Sequence, residues 1–388
     1  MSGAGSFALR GARLFDGTGF CEGMALIVEG GEIAALVPEA GLGAMAAEDL
    51  GGGILAPGFV DLQVNGGAGR MLGADPGVAE IAAICAAHAG LGATGILPTL
   101  ITDTPGITRA VVEAGIAAAG RVPGFLGLHL EGPHLDPRRH GAHDPALIRP
   151  MEEADLALLT EAARRLPALL VTLAPESATE TQIAALAGAG AVVSLGHSDT
   201  GAAAARAAFA AGARAVTHLF NAMSPLGHRE PGLVGAALST PGIGVGLIAD
   251  GIHVAPEVIG IALRAGGTER VFLVSDAMAV AGTGLDEFTL RGRKILRREG
   301  RLTLADGTLA GADIDIPGAL RVLRGVGVAP ERALAMATAN PAGLIGARSR
   351  GRLAPGGAAD LVHLDADFRA RRVWQGGAEL PREGAASP

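Results

Sequence analysis

The chain has 388 residues, 49% of them apolar, and a formal net charge of −8. That balance, with no basic patch, excludes a nucleic-acid or anionic-membrane surface as partner, and no apolar run reaches the roughly 18 residues of a membrane span. The single lysine, Lys294, sits in the arginine-rich stretch Arg291–Arg301, which reads as a solvated strand pair, so a lysine Schiff base, a P-loop and a carbamylated-lysine metal bridge are all excluded.

From the N-terminus, no basic segment leads into a long apolar stretch, so no secretory signal is expected. Cys21 and Cys85 are isolated from each other, which suits a reducing, cytoplasmic compartment. Residues 6–55 hold short β-like runs, among them Ala25–Glu29 and Glu32–Leu36 joined by Gly30-Gly31, a hairpin signal. Eight further candidate strands follow, ending near Val64, Leu100, Leu130, Leu173, Gly196, Leu219, Ala249 and Ser275. Between most of them lie segments of helical period, such as Glu152–Leu166 and Gly201–Ala211. Eight strands alternating with helices predict a (β/α)8 TIM-type barrel rather than an open sheet. The stretch 57–345 exceeds the roughly 250 residues usual for that fold, and a β-hairpin insertion near 286–306 (Phe288–Leu304) accounts for the excess. The C-terminal runs Ala359–Leu364 and Arg372–Gln375 are again β-like. Neither end can bury a core alone, so residues 1–56 and 346–388 are expected to form one small β-sandwich domain.

The active end of such a barrel is the C-terminal end of its strands. There the third strand delivers Glu131, the fifth His197, the sixth His218, the seventh leads to Asp250 and His253, and the eighth delivers Asp276. One carboxylate and two imidazoles make a site for a single divalent first-row metal, best Zn2+, with Fe2+, Mn2+ or Co2+ fitting the same donors. Three protein ligands leave a position for water, whose pKa the metal lowers towards about 7. Asp276 is then placed to carry the proton and His253 to hydrogen-bond the substrate carbonyl. Each residue has a plainer reading. A lone strand-end histidine is more often structural, Glu131 could cap a turn and Asp276 a helix. His129 reads as a neighbour of the ligands or a polar filler, and His88 as structural. Five strands that each deliver such a residue to one rim are harder to explain as structure. Gly244–Ala249 superficially resembles a dinucleotide fingerprint but lies inside a strand, and is discounted.

These motifs resemble the N-acetylglucosamine-6-phosphate deacetylase family of the amidohydrolase superfamily over almost the whole chain. The match runs through Pro57–Gly67 (PGFVDLQVNGG), Leu97–Thr102, His129–Pro133 (HLEGP), Gly141–His143, Leu195–Ser198, Thr217–Met223 (THLFNAM) and Arg229–Gly232. It continues with Ala249–His253 (ADGIH), Ser275–Ala277, Leu309–Gly311, Pro341–Gly346 and Pro355–Leu361. The resemblance implies Glu131, His197 and His218 as metal ligands and Asp276 with His253 as catalytic groups. It implies substrate contacts from Ala142, His143, Asn221, Ala222, Arg229, Asp250, His253, Leu309, Ala310 and Gly311, with Asn221, Ala222 and Arg229 at a phosphate. The implied substrate is a small phosphorylated N-acetyl amino sugar, and the implied assembly a homodimer. The expected reaction is hydrolysis of N-acetyl-D-glucosamine 6-phosphate to D-glucosamine 6-phosphate and acetate through a metal-bound hydroxide. The alternatives are another N-acetylhexosamine phosphate, such as N-acetylgalactosamine 6-phosphate, or a catalytically silent binding protein. One departure stands out. Many superfamily members carry His-x-His at the end of the first strand, whereas here the positions are Gln63 and Asn65. Amides bind such metals poorly, so one metal is expected, with the two amides touching substrate or water.

Overall fold

The computed structural model describes residues 5–381. Eight parallel strands form its centre: β1 (Val60–Val64), β2 (Gly95–Ile101), β3 (Leu128–Glu131), β4 (Leu169–Leu173), β5 (Val192–Leu195), β6 (Ala215–Val216), β7 (Gly244–Leu247) and β8 (Val271–Leu273). They pair in chain order through seven parallel ladders. Residues just beyond β1 and β8 close the barrel: Asp276 donates its N–H to Gln63 O at 3.0 Å, and Asn65 donates to Ala277 O at 2.9 Å. Lower on the same seam, the buried Asp61 carboxylate accepts the Ser275 N–H at 3.2 Å. The eight strands foreseen are therefore present, each ending within a few residues of its expected limit.

Helices cover the outside. Glu153–Arg165 and Ala202–Ala210 occupy the two segments whose period predicted them. The first begins with a capping box between Glu152 and Asp155 and ends on Arg164 and Arg165, which favours both ends of its dipole. Parallel strands wrapped in this way are buried on both faces.

Side chains inside the barrel lie in tiers, because alternate strand residues point to the axis. The lowest tier is apolar and includes Leu62, Leu97, Leu170, Val192, Ala215 and Phe272. The next is a chain of hydroxyls and one imidazole. His129 bonds Thr99 Oγ1 at 3.2 Å and Thr172 Oγ1 at 2.7 Å; Thr172 meets Thr217 at 2.6 Å, and Thr217 meets Ser194 at 2.7 Å. Every member has a partner, so this buried polar layer carries no orphaned group at these atoms. Glu131, His218 and His197 stand above it.

Both ends of the chain build the flanking sandwich. One sheet runs in the order 378–379, 370–375, 361–364, 54–57, 13–15 and 20–21, uniting N- and C-terminal segments; the other joins 32–38, 24–29, 7–10 and 47–49. The fold is thus a (β/α)8 barrel with a small β-sandwich. The segment read as a hairpin insertion is larger than expected. Glu287–Leu290, Arg293–Arg298, Arg301–Thr303 and Leu309–Ala312 form a four-stranded antiparallel meander. The tight turn at Glu299-Gly300, both at positive φ, adds a third strand, and a turn capped by Asp306 adds a fourth.

Gly127 shows how closely neighbouring strands approach. Its φ is +141°, and a Cβ there would run into the Ala168 carbonyl, which accepts the Leu128 N–H at 3.1 Å. Gly127→Ala should therefore cost about 2–4 kcal/mol of stability, read by denaturant unfolding.

Candidate active site

Several residues at the strand ends adopt left-handed backbone conformations that only glycine takes freely. His197 (φ 47°), His218 (φ 30°), Phe220 (φ 77°), Ala222 (φ 50°) and Asp276 (φ 50°) are all of this kind. Each costs on the order of 1 kcal/mol. Three of them are residues that the sequence assigns to chemistry, as expected where strain serves to aim a side chain.

Glu131 Oε1 lies 3.0 Å from His218 Nε2 and 3.3 Å from His197 Nε2, and the two imidazole nitrogens are 3.1 Å apart. A tetrahedral centre with ligand bonds of about 2.0–2.1 Å has edges of roughly 3.3–3.4 Å, so these donors already stand at nearly that spacing. His197 Nδ1 is 2.8 Å from the Arg139 carbonyl, which holds a proton on Nδ1 and turns the Nε2 lone pair inward. Among the described residues, the buried His218 Nδ1 has no hydrogen-bond partner. Burial disfavours the charged His218 ring, but the Glu131 hydrogen bond and charge overcome this and raise its pKa.

A second set, Glu131, His143 and His197, also has donor atoms within 4.8 Å of one another and could hold a metal ion. His143 differs from the other two histidines. Its Nδ1 accepts the Thr102 N–H at 3.3 Å and lies 2.8 Å from Thr102 Oγ1, while its Nε2 is 3.8 Å from Glu131 Oε2. An accepting Nδ1 leaves the proton on Nε2, so His143 presents a donor rather than a lone pair. Burial and the charge of His197 pull its pKa down to about 3, keeping it neutral.

Asp276 is buried against this group. Burial, and next the charge of Glu131, push its pKa up to about 6. Asn65 Nδ2 donates to its Oδ1 at 2.7 Å, and Gln63 Nε2 reaches the same atom at 3.2 Å and Glu131 Oε1 at 3.0 Å. The amides that replace His-x-His thus act as donors, Gln63 to both carboxylates and Asn65 to Asp276, and both hold Asp276 by Oδ1. His253 Nδ1 is 2.6 Å from Asp250 Oδ2.

These groups surround a cavity of about 250 Å3, with Ala142, Asn221, Ala222, Leu309 and Gly311 also on its wall. Of the expected site residues, Asn65, Glu131, His143, His197, His218, His253 and Asp276 line it as well. Gln63, Asp250, Ala310 and Arg229 do not line it. Gln63 stands behind the two carboxylates, Asp250 is turned onto His253, Ala310 points into the meander core, and Arg229 is exposed on the loop after Met223. A larger cavity of about 580 Å3, with Arg297, Asp313 and Arg321 on its wall, lies apart from the histidines and has no such cluster. His88 bonds Gly66 O at 2.9 Å, consistent with a structural role, and Gly244–Leu247 is strand β7, so no dinucleotide turn exists there.

Ile101, Gly141, Ile248, Met278 and Thr308 complete the cavity wall, and the sequence reading assigned none of them to the site. The meander also reaches the cavity in a way that no motif signals. Arg291 pairs with Asp103 on the loop after β2, and Arg293 donates to the carbonyl of Ala142.

The family description "Amidohydrolase family" matches residues 54–379. The chain belongs to the amidohydrolase family. It is 40% identical over 327 residues to the N-acetylgalactosamine-6-phosphate deacetylase of Shewanella sp. (strain ANA-3), covering 84% of this chain and 82% of that one. It is 38% identical over 347 residues to the Homo sapiens N-acetylglucosamine-6-phosphate deacetylase, covering 85% and 84%. A mutant N-acetyl-D-glucosamine-6-phosphate deacetylase of Mycobacterium smegmatis, solved in complex with N-acetyl-D-glucosamine-6-phosphate, superposes with a TM-score of 0.90 at 31% identity over 97% of this chain and 99% of that one.

The Arg291–Asp103 pair ties the meander to the loop after β2. Arg291→Ala should speed hydrogen exchange in residues 287–312 while changing global stability by less than about 1 kcal/mol. Unchanged exchange in that segment would show that the pair holds nothing.

Proposed function

We propose that the protein removes the acetyl group of an N-acetylhexosamine 6-phosphate by hydrolysis, with N-acetyl-D-glucosamine 6-phosphate as substrate and D-glucosamine 6-phosphate and acetate as products. The observation that carries this reading is the meeting of Glu131, His197 and His218 donor atoms beside a buried Asp276 that Asn65 and Gln63 hold by Oδ1, in a cavity of about 250 Å3. Glu131, His197 and His218 are the residues we assign to a single divalent ion, Zn2+ on ligand type. Bound there, such an ion acts as a Lewis acid on the acetyl carbonyl and makes water acidic enough to attack near neutral pH.

The chain's own groups do the rest. Asp276 Oδ2 takes a proton from the attacking water and returns it to the sugar nitrogen as the C–N bond breaks. A carboxyl pushed up to about 6 suits both halves of that exchange. Gln63 and Asn65 keep its other oxygen occupied. His143 and His253 offer ring atoms to the sugar and to the scissile carbonyl. Asn221 and Ala222 stand at the rim for the phosphate. We assign Arg229 to the phosphate as well. Its exposure beside Leu226, which is 56% exposed, favours a homodimer that covers this loop.

The galacto epimer is the second reading, supported by the 40% identity to a galactosamine-type enzyme. No helix among the described residues is long and apolar enough to cross a membrane. Two isolated cysteines support a cytoplasmic assignment. We place the domain division at 1–56 plus 346–388 against 57–345; residues 1–4 and 382–388 lie outside the described residues.

Acetate release from a panel of N-acetyl sugars, with and without the 6-phosphate, tests the assignment; release from none of the phosphorylated sugars rejects it. Asp276→Asn should lower kcat at least 10³-fold, an estimate of about the upper general-acid–base range, while bound metal stays constant. His218→Ala should abolish metal retention, and His143→Ala should keep the metal and raise KM. The opposite pattern would assign His143 as the third ligand. Arg229→Ala should weaken phosphorylated sugars only, and an equal effect on the free sugar would remove it from the phosphate site.

A further inference from the structure

Asp250 lies outside the cavity wall, yet its carboxylate is fully engaged. Its Oδ1 accepts the backbone N–H groups of Ile252 and His253, both at 2.8 Å, and its Oδ2 faces His253 Nδ1 at 2.6 Å. The side chain is only 4% exposed. Burial opposes its charge, but the hydrogen bond and charge of His253 and the two N–H donors outweigh that and hold its pKa below the usual carboxylate range. An ionised carboxylate can only accept, so His253 Nδ1 carries a proton. The opposite ring nitrogen, Nε2, belongs to the residue that lines the cavity. In the neutral ring that atom has only a lone pair.

We propose that Asp250 is a positioning residue: it holds the His253 proton on Nδ1 and the ring in place, so that the Nε2 lone pair faces the substrate, and it has no contact of its own with substrate. The proposal rests on the deacetylase reading above. Asp250 meets the ring at Nδ1 with one oxygen while its other oxygen is anchored by two backbone N–H groups, which leaves the ring a single orientation. Nε2 then accepts a hydrogen bond from the substrate and keeps the reacting acetamide aligned. A contact that orients the reacting group should appear in kcat more than in KM.

The test is a double-mutant cycle on the intact enzyme with N-acetylglucosamine 6-phosphate. Asp250→Asn keeps Oδ1 for the two backbone N–H groups, so the turn should fold, with the melting temperature as control. Its new NH2 faces Nδ1 and forces the proton to Nε2, which puts a donor where the parent ring has a lone pair. We expect kcat to fall roughly 10–100-fold with KM nearly unchanged, and D250N combined with H253Q to be no slower than H253Q alone. Losses that multiply, or an unchanged kcat in D250N, would overturn the proposal. Asp250→Ser serves in the same cycle should the asparagine variant misfold. Imidazole NMR reads the ring directly: a far-downfield Nδ1 proton is expected in the parent, lost in both D250N and H253Q. If that signal is present but the parent releases no acetate from any sugar, the deacetylase reading fails and the dyad stands. If acetate is released and the signal is absent, the dyad fails alone.

Discussion

The barrel closes where Gln63 meets Asp276, and the active end depends on that closure. The backbone of Gln63 accepts the Asp276 N–H at 3.0 Å, while its side chain reaches both Asp276 Oδ1 and Glu131 Oε1. One residue therefore joins the first and last strands and lies between two buried carboxylates. Two like charges out of water repel strongly and are poorly solvated. One amide cannot balance them. The imidazoles of His197 and His218 face the same oxygen of Glu131, and a divalent cation held by the donors proposed above would supply the missing positive charge. Gln63 thus couples the fold's topology to the electrostatics of its centre: without the closure the two carboxylates would not be neighbours.

The tiers below explain how the constellation stays in place. The chain from Thr99 through His129, Thr172 and Thr217 to Ser194 draws on five strands, and its members sit one to three residues below Glu131, His197 and His218. Hydrogen bonds between side chains fix rotamers more narrowly than apolar contact does. Such a floor can carry the strained backbones of His197, His218 and Asp276 above it, because the strain is local while the support comes from several strands.

Much of this was legible in the sequence, for a physical reason. Strands buried on both faces read as apolar runs, and the polar residues that end them, Glu131, His197, His218 and Asp276, stand out because a core would otherwise reject them. What stayed illegible depends on contacts between distant segments. The fourth strand of the meander, Leu309–Ala312, is small and glycine-containing and reads as a motif rather than a strand. The reach of Arg291 to Asp103 and of Arg293 to Ala142 spans well over a hundred residues and leaves no local pattern. Arg229 looks like a phosphate ligand by its neighbours in sequence, yet the loop after Met223 carries it away from its own chain's cavity. Asp250 sits in a motif beside His253, which suggests a shared substrate role, and only the geometry shows both of its oxygens already taken.

Asp250 and Asp276 show how one residue type is driven to opposite ends of its range at a single site. Asp276 is enclosed beside Glu131, and burial with that neighbouring charge pushes its pKa up to about 6. Asp250 meets two backbone N–H groups and an imidazole, and its pKa is held below the usual value. The first can gain and lose a proton near neutral pH; the second stays a fixed anion. In the proposed reaction the proton carrier must be able to change its charge during the cycle, and the group that holds a neighbouring ring in place must not. The division of labour follows from which N–H groups each carboxylate finds at the end of its strand.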